Sequence, residues 1–115
     1  MPWEPIVSQE HLVELRKTRQ RVVVFVTAPA SCYLCKLVEP KIRPFADDLD
    51  FEDIAFYSLD VDRVSVEDDP EFAAVSTLPA FLLLFGGSLR EIVPVKREQR
   101  PGRLLARAIK QTFGS

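Results

Sequence analysis

An apolar strand that leads into two closely spaced cysteines constrains the fold of this chain more than any other feature. Residues 21–27 read Arg-Val-Val-Val-Phe-Val-Thr, and Cys32-Tyr33-Leu34-Cys35 follows after a short loop. A run that is apolar on both faces is typical of a central strand, and the cysteines fall where a helix would begin. The unpaired N–H groups and the dipole of a helix N-terminus favour a thiolate over a thiol. Two thiols at this spacing can also close a small disulfide ring, so the pattern indicates reversible dithiol–disulfide exchange.

Length and composition predict one ordinary globular domain, spanning residues 1–115. Apolar residues make up 47% of the chain and charged residues 28%, which is typical of a folded domain. No apolar stretch approaches the ~20 residues that cross a bilayer, and residues 1–5 lack the basic and then apolar segments of a secretory signal. We therefore expect a cytoplasmic protein with no membrane partner, in which two cysteines are more often catalytic or metal-binding than structural.

The net charge of −2 argues against nucleic acid as a partner. The charge is nevertheless unevenly distributed, because acids crowd residues 47–71 and bases crowd residues 90–110. Two interpretations stay open: solvated faces of opposite sign, or a surface on which another molecule docks.

The hydrophobic pattern predicts alternating helices and strands, and therefore an α/β fold. Ser8 caps a helix at 9–18, and a short strand is expected at Ile6-Val7. The helix that starts at Cys32 is kinked by Pro40 and Pro44, and its buried stripe continues to Leu49. Further strands are expected at 54–61, 80–85 and 89–95, the last at an edge after a Gly-Gly turn, with helices at 70–75 and from 101 onward.

This order of elements resembles the thioredoxin family over residues 5–113. Cys-Lys-Leu-Val-Glu-Pro at 35–40 is similar to the family's second cysteine, the lysine after it and the proline that kinks its helix. Val-Ser-Thr-Leu-Pro at 75–79 resembles the segment that ends in the family's cis-proline, and Asp-Val-Asp at 60–62 resembles the end of its third strand. The resemblance implies a thioredoxin fold, with a central mixed sheet of four to five strands and helices on both faces.

The resemblance also implies roles for residues around the motif. Cys32 would be the attacking thiolate, and Cys35 would be the resolving thiol one turn further in. A cis bond before Pro79 would face the cysteines and leave the backbone of Leu78 free to pair with a substrate strand. The residues expected to contact a substrate are Tyr33, Leu34, Leu78 and Pro79. The residues expected to support the thiolate are Ser31 and Lys36.

Several positions depart from the family pattern. Ser31 stands where the family has tryptophan before the first cysteine, and Tyr33-Leu34 replaces the usual Gly-Pro. The family's buried aspartate is missing from the strand at 22–27, and Ser58 falls about where its lysine partner would be. An aspartate installed at Val24 or Val26 is expected to speed resolution of the mixed disulfide if the acid reaches the site, and the register leaves open which position would do so.

Two classes of function follow. The first is a thiol–disulfide oxidoreductase without a cofactor, which exchanges Cys32–Cys35 with a restricted set of protein disulfides and has a thioredoxin reductase as its candidate source of electrons. The second is a binding module that keeps the fold and docks partners on the surface of Tyr33 and Pro79. Inert helix thiols and a metal cluster shared by two chains also stay open, whereas a structural zinc site needs four ligands and the chain offers only His11 besides the cysteines.

Overall fold

A computed structural model describes residues 3–18 and 20–114. Met1, Pro2, Arg19 and Ser115 lie outside the described residues, and the single domain at 1–115 stays a prediction. Within the described ranges the strands are Glu4–Pro5 (β1), Arg21–Thr27 (β2), Ile54–Asp60 (β3), Ala80–Phe85 (β4) and Ser88–Pro94 (β5). The α-helices are Gln9–Arg16 (α1), Tyr33–Ile42 (α2), Pro70–Ala73 (α3) and Pro101–Phe113 (α4).

The strands form one mixed sheet in the order β1-β3-β2-β4-β5. Strand β3 runs parallel to β1 and β2, whereas β4 is antiparallel to both β2 and β5. The C-terminal ends of β2, β3 and β5 and the N-terminal end of β4 therefore share one edge of the sheet. That edge leads directly into the cysteine motif, and we call it the cysteine edge.

Helices cover both faces of the sheet. Val38 and Ile42 of α2 and Leu105 of α4 pack in one buried cluster with Val23 and Phe25 of β2. The opposite cluster joins residues of α1 and α3 to the alternate side chains of the same strands. It includes Leu12, Leu15, Val22, Val24, Val26 and Phe72. Because helices cover both sides of the sheet, the central strand β2 must be apolar on both faces. The predicted thioredoxin fold, a mixed sheet with helices on both faces, is confirmed.

The N-terminal elements differ slightly from the predicted ones. Ser8 caps α1 as predicted, and its Oγ accepts a hydrogen bond from the His11 N–H at 3.0 Å. The helix ends at Arg16, two residues before the predicted end at Thr18. The short strand predicted at Ile6-Val7 lies two residues earlier, at Glu4–Pro5. The Ile6 N–H still donates to the Ser58 carbonyl at 2.8 Å, and the chain then turns at Val7 toward the cap of α1.

The segment after the cysteines also differs from prediction. Pro40 lies inside α2, but the α-helix ends at Ile42 and continues as a 3₁₀-helix, Arg43–Asp47, with Pro44 in its first turn. The tighter 3₁₀ winding breaks the 3.6-residue period. Leu49, predicted on the buried stripe, is consequently 80% exposed.

None of the helices in the described ranges has the length and apolar character needed to cross a bilayer.

Candidate active site

Cys32 and Cys35 lie at the start of α2 and are joined by a disulfide bond. Cys32 is the N-cap residue, with extended backbone, and Cys35 lies in the first turn. The Cys35 N–H points at the Cys32 sulfur, with 3.1 Å between the nitrogen and Sγ. The sulfur thus takes the place of the oxygen that usually caps a helix.

The two sulfur-bearing residues differ in exposure. Cys32 is half-buried, whereas Cys35 is only 1% exposed. The turn before the motif places Cys32 at the surface, because the Ala28 carbonyl accepts hydrogen bonds from the N–H groups of Ser31 (3.0 Å) and Cys32 (2.8 Å). Cys32 is therefore the more accessible cysteine of the pair.

The loop before β4 reaches the same edge of the sheet. The Leu78-Pro79 peptide bond is cis, which is the geometry that the family resemblance implies. The Pro79 carbonyl accepts a hydrogen bond from the Val95 N–H at 3.0 Å, and this bond ties the loop to the end of β5. Among the described residues, nothing forms a hydrogen bond with the backbone of Leu78.

The side chains that flank the cysteines differ in how far they reach into solvent. Tyr33 is 69% exposed, whereas Leu34 is half-buried against the core under α2 and α4. Leu78 is also half-buried and packs on the opposite core, and Pro79 is buried. Lys36 and Ser31 are exposed, and the Ser31 Oγ lies 3.5 Å from Oδ2 of Asp62. Of the four residues expected to contact a substrate, Tyr33 presents the largest free surface.

A cleft of about 700 Å³ opens beside α2, and Cys35 lines it. Phe25 and Ser58 also line this cleft and face each other across the β2–β3 pairing. They occupy the place where the family resemblance puts an aspartate and its lysine partner. Because side chains alternate along a strand, Val24 and Val26 point into the opposite core. The condition that an aspartate at either valine reaches the site is therefore not met.

Two further residues of this cleft were missed by the sequence analysis. Trp3 packs on Phe56, with 4.8 Å between ring centroids, and its indole N–H donates to the carbonyl of Ile42 at 3.1 Å. No local pattern links Trp3 to α2. Asp60 also lines the cleft, and it could have been found because parallel strands end at a common edge.

Metal ligands do not cluster in this part of the molecule. Residues 3–18 and 20–114 contain no group of three or more His, Cys, Asp or Glu side chains arranged to hold a metal ion. His11 lies on α1, where its Nδ1 accepts from the Val7 N–H and its Nε2 is 3.4 Å from Glu4.

A model of the family described as Thioredoxin matches residues 3–111. The chain shares 43% identity over 56 residues with Thioredoxin-2 of Saccharomyces cerevisiae, covering 49% of this chain and 50% of that protein. It shares 30% identity over 95 residues with Thioredoxin H2 of Arabidopsis thaliana, covering 79% of this chain and 65% of that protein. The matches thus span less than two thirds of these relatives' own lengths.

Solved structures agree in fold. A thioredoxin of Malassezia sympodialis superposes with a TM-score of 0.79 at 23% identity, covering 97% of this chain and 94% of that one. Thioredoxin O1 from Arabidopsis thaliana, in its oxidized state, gives 0.75 at 19% identity, covering 98% and 99%. With its fold, its cysteine pair and the matching family model, the chain belongs to the thioredoxin family.

Proposed function

We propose that this chain is a thiol–disulfide oxidoreductase that exchanges the Cys32–Cys35 pair with a restricted set of protein disulfides. The observation that carries the proposal is the disulfide itself, which joins an accessible N-cap cysteine to a buried one in a thioredoxin-family fold. Family membership and the Cys-x-x-Cys pair support the general activity. The restriction to a few partners rests on the departures at Ser31, Tyr33 and Leu34.

The reducing cycle has two exchange steps. The Cys32 thiolate attacks one sulfur of a partner disulfide, forms a mixed disulfide and releases the other partner sulfur as a thiolate. The Cys35 thiolate then attacks the Cys32 sulfur, which closes the Cys32–Cys35 disulfide and releases the second partner thiolate. The dithiol loses two electrons and the partner disulfide gains them. A thioredoxin reductase is the proposed donor that reduces the pair again.

The position of Cys32 supports its role as the attacking group. The N–H of Cys35 and the dipole of α2 both stabilise negative charge on a sulfur at the N-cap. Exposed Lys36, in the first turn of the same helix, adds positive charge nearby, and Ser31 holds the preceding turn.

Deprotonation of Cys35 takes a different route from that of Cys32. Phe25 leaves β2 without an acid at the cleft, so the proposed proton acceptors are water and the leaving thiolate. Asp60, which also lines the cleft, is the other base available there. Resolution of the mixed disulfide should therefore accelerate as pH rises. A resolution rate that does not change with pH would show that another base acts on Cys35.

Partner contacts are proposed on the surface around the accessible sulfur. The exposed ring of Tyr33 and the unpaired backbone of Leu78 beside Pro79 provide an aromatic anchor and a short edge for an extended segment. Leu34 supports this surface from below. We expect low activity on insulin and weak coupling to a general thioredoxin reductase, because these side chains differ from the family pattern.

The decisive experiment is a trapping assay. Cys35→Ser should accumulate a mixed disulfide through Cys32 with its partner, and Cys32→Ser should abolish exchange. Mass spectrometry of the trapped adduct identifies the sulfur that reacted. Faster alkylation of Cys35 than of Cys32 in the reduced protein would overturn the assignment.

A binding module with little turnover is the second candidate, favoured by the exposure of Tyr33 next to the motif. A redox titration of the pair, combined with insulin reduction and NADPH-dependent turnover with a thioredoxin reductase, separates the two. Exchange that fails with every disulfide tested would favour the binding module. The cytoplasmic location stays a prediction that cell fractionation tests.

A further inference from the structure

Charged residues at the cysteine edge lie in two groups, one on each side of the motif. Asp60 and Asp62 lie at the end of β3, where Oδ2 of Asp60 is 3.8 Å from Nε of Arg63 and the Ser31 side chain, next to Cys32, reaches Asp62. Two acids and one base leave a net negative charge on this side. Strands β2 and β4 separate this acidic side from the end of β5. There the loop at 96–100 carries three basic residues and one acid, in the sequence Lys-Arg-Glu-Gln-Arg. The cysteine motif therefore lies between an acidic and a basic border.

The loop at 96–100, here called the basic rim, is held directly beside the cis-proline. Pro94 is the register partner of Ala80, and the next residue, Val95, donates its N–H to the Pro79 carbonyl. The Lys96 N–H donates to Oε1 of Gln99 at 2.8 Å, and the Gln99 N–H returns to the Lys96 carbonyl at 3.1 Å. These bonds define a turn, so the position of the basic side chains relative to Pro79 is set by the backbone.

The basic side chains of the rim have no acidic partner among the described residues. Lys96, Arg97 and Arg100 are exposed and form no ion pair within residues 3–18 and 20–114. Arginines on other surfaces fall into two groups. Four of them pair with an acid, whereas Arg90, Arg103 and Arg107 form no ion pair among the described residues; the paired ones are Arg16, Arg21, Arg43 and Arg63. The rim places its uncompensated positive charge directly beside Pro79.

We infer that the basic rim is a docking surface for partners that carry Asp or Glu residues close to their disulfide. In the bound partner, these acids lie on the segment that runs from its reactive cysteine past Pro79. The inference rests on the proposed function and defines the partner class. Unpaired charge at the border of a site attracts an oppositely charged partner and orients it, and it acts mainly on the association rate. The acids at the other border disfavour the same partner in the reverse orientation.

The test uses three disulfide-bonded peptides of equal length, with acidic, neutral or basic residues next to the cysteine pair. Their second-order rate constants are measured with the reduced protein at low and high ionic strength. We expect the acidic peptide to react about ten-fold faster than the basic one at low salt. We expect salt to reduce this preference because it screens exposed charges.

A matched pair of charge reversals locates the effect. The double change Lys96→Glu and Arg97→Glu should remove or invert the preference for the acidic peptide. The control double change Arg107→Glu and Lys110→Glu alters the same charge on exposed positions of α4, whose C-terminal Phe113 lies near Phe85, at the opposite edge of the sheet. The control should keep most of the preference.

Exchange with hydroxyethyl disulfide, a small neutral molecule, separates this inference from the proposed function. Normal exchange with this molecule, together with equal rates for all three peptides, overturns the basic rim and leaves the oxidoreductase intact. A loss of preference that is equal in the rim and control variants also overturns it. No exchange with any disulfide refutes the function and the inference together. Because salt dependence is measured on the unmodified protein, the inference is testable whether or not the variants fold.

Discussion

The face of the sheet that carries α2 and α4 differs from the face that carries α1 and α3 in its packing and in its polar contacts. On the cysteine-bearing face, the ring of Trp3 contacts those of Phe25 and Phe56, and Trp3 and Phe25 line a cleft that reaches Cys35. On the other face, the core is mostly aliphatic, with Phe72 as its buried aromatic ring, and a smaller pocket of about 390 Å³ lies between α1 and the N-cap of α3. Only the first of these two spaces is lined by a cysteine.

A charged cluster around Arg16 joins the elements of the face that carries α1 and α3. The guanidinium forms two hydrogen bonds with Asp69, the N-cap of α3, at 3.1 and 2.8 Å, and a third with the Gly87 carbonyl at 2.9 Å. It also pairs with Glu71 at 2.6 Å. One side chain thus joins α1, α3 and the β4–β5 turn. We expect changes on this face to alter the free energy of unfolding and to leave the exchange rate unchanged.

The largest expected effect is that of Gly87→Ala. A Cβ at Gly87 would lie 1.9 Å from the Arg16 carbonyl oxygen, and the backbone there has φ +80°. Since backbone cannot move aside as a side chain can, we expect a loss of about 3 kcal/mol or more in the free energy of unfolding. Urea denaturation measures it.

Gly86→Ala is the matched control for that change. Gly86 also has positive φ, but its added Cβ would meet nothing within 4 Å. We therefore expect a loss of only about 1–2 kcal/mol in the free energy of unfolding, which is the cost of the left-handed backbone conformation. Equal losses for the two variants would contradict the close contact with α1.

Arg16→Ala should have the next largest effect. It removes the charge that compensates Asp69, whose side chain is only 16% exposed, and we expect a loss of about 2–3 kcal/mol. Arg43→Ala is the control on the cysteine-bearing face, because Arg43 forms an exposed pair with Glu39 that should add nothing measurable. If Arg16→Ala slowed exchange with hydroxyethyl disulfide, the separation of the two faces would be refuted.

The third prediction concerns pH. Burial alone would raise the pKa of Asp69, but hydrogen bonds from Arg16 and from the Phe72 N–H lower the pKa below its ordinary value. The resulting stability is fully present above the unfolded-state pKa of about 3.9 and is lost as pH falls through the lower folded-state pKa.

Asp69→Asn isolates this contribution because asparagine is an equally good N-cap. The unmodified protein should be the more stable of the two at neutral pH, and the difference should shrink below about pH 4. Denaturation curves between pH 7 and pH 2 measure it. A difference that stays constant over this range would show that Asp69 is not the titrating group.

The smallest effect is expected on the cysteine-bearing face, from Trp3→Phe. This change keeps an aromatic ring and removes the hydrogen bond to the Ile42 carbonyl, which is worth about 1 kcal/mol. If Trp3 closes the cleft, alkylation of Cys35 in the reduced protein should accelerate about five-fold. Unchanged alkylation would show that the cleft is held without Trp3.

Much of the fold could be predicted from local sequence patterns. The strand at 21–27 was predicted with its observed bounds, since its apolar run and the charged or small residues around it are local features. Ser8 and Pro101 similarly marked the starts of α1 and α4. The α2 segment was predicted only in part, because the change to a 3₁₀-helix at Arg43 depends on how Phe45 and Phe51 stack against the core.

The residues of the candidate site could be predicted from the sequence motif, but the side chains that surround them could not. The two cysteines, Tyr33 and Pro79 are recognisable from their order along the chain. The side chains of β2 that face Cys35 could not be recognised from the sequence. The length of the loop at 28–31 hides whether the even or the odd positions of the strand point toward α2. In the structure, Phe25 packs in the cluster under α2, whereas Val24 and Val26 pack in the cluster on the opposite face of the sheet.

The sequence by itself determined the class of fold, the reactive pair and the uneven distribution of charge. These features depend on residue type and on spacing within single segments, which periodicity and helix capping make readable. Only the tertiary structure decided that Trp3 borders the cleft of Cys35, that Arg16 joins three elements, and that the basic rim lies beside Pro79. Those relations join residues far apart along the chain, so they arise only when the strands pair and the helices pack.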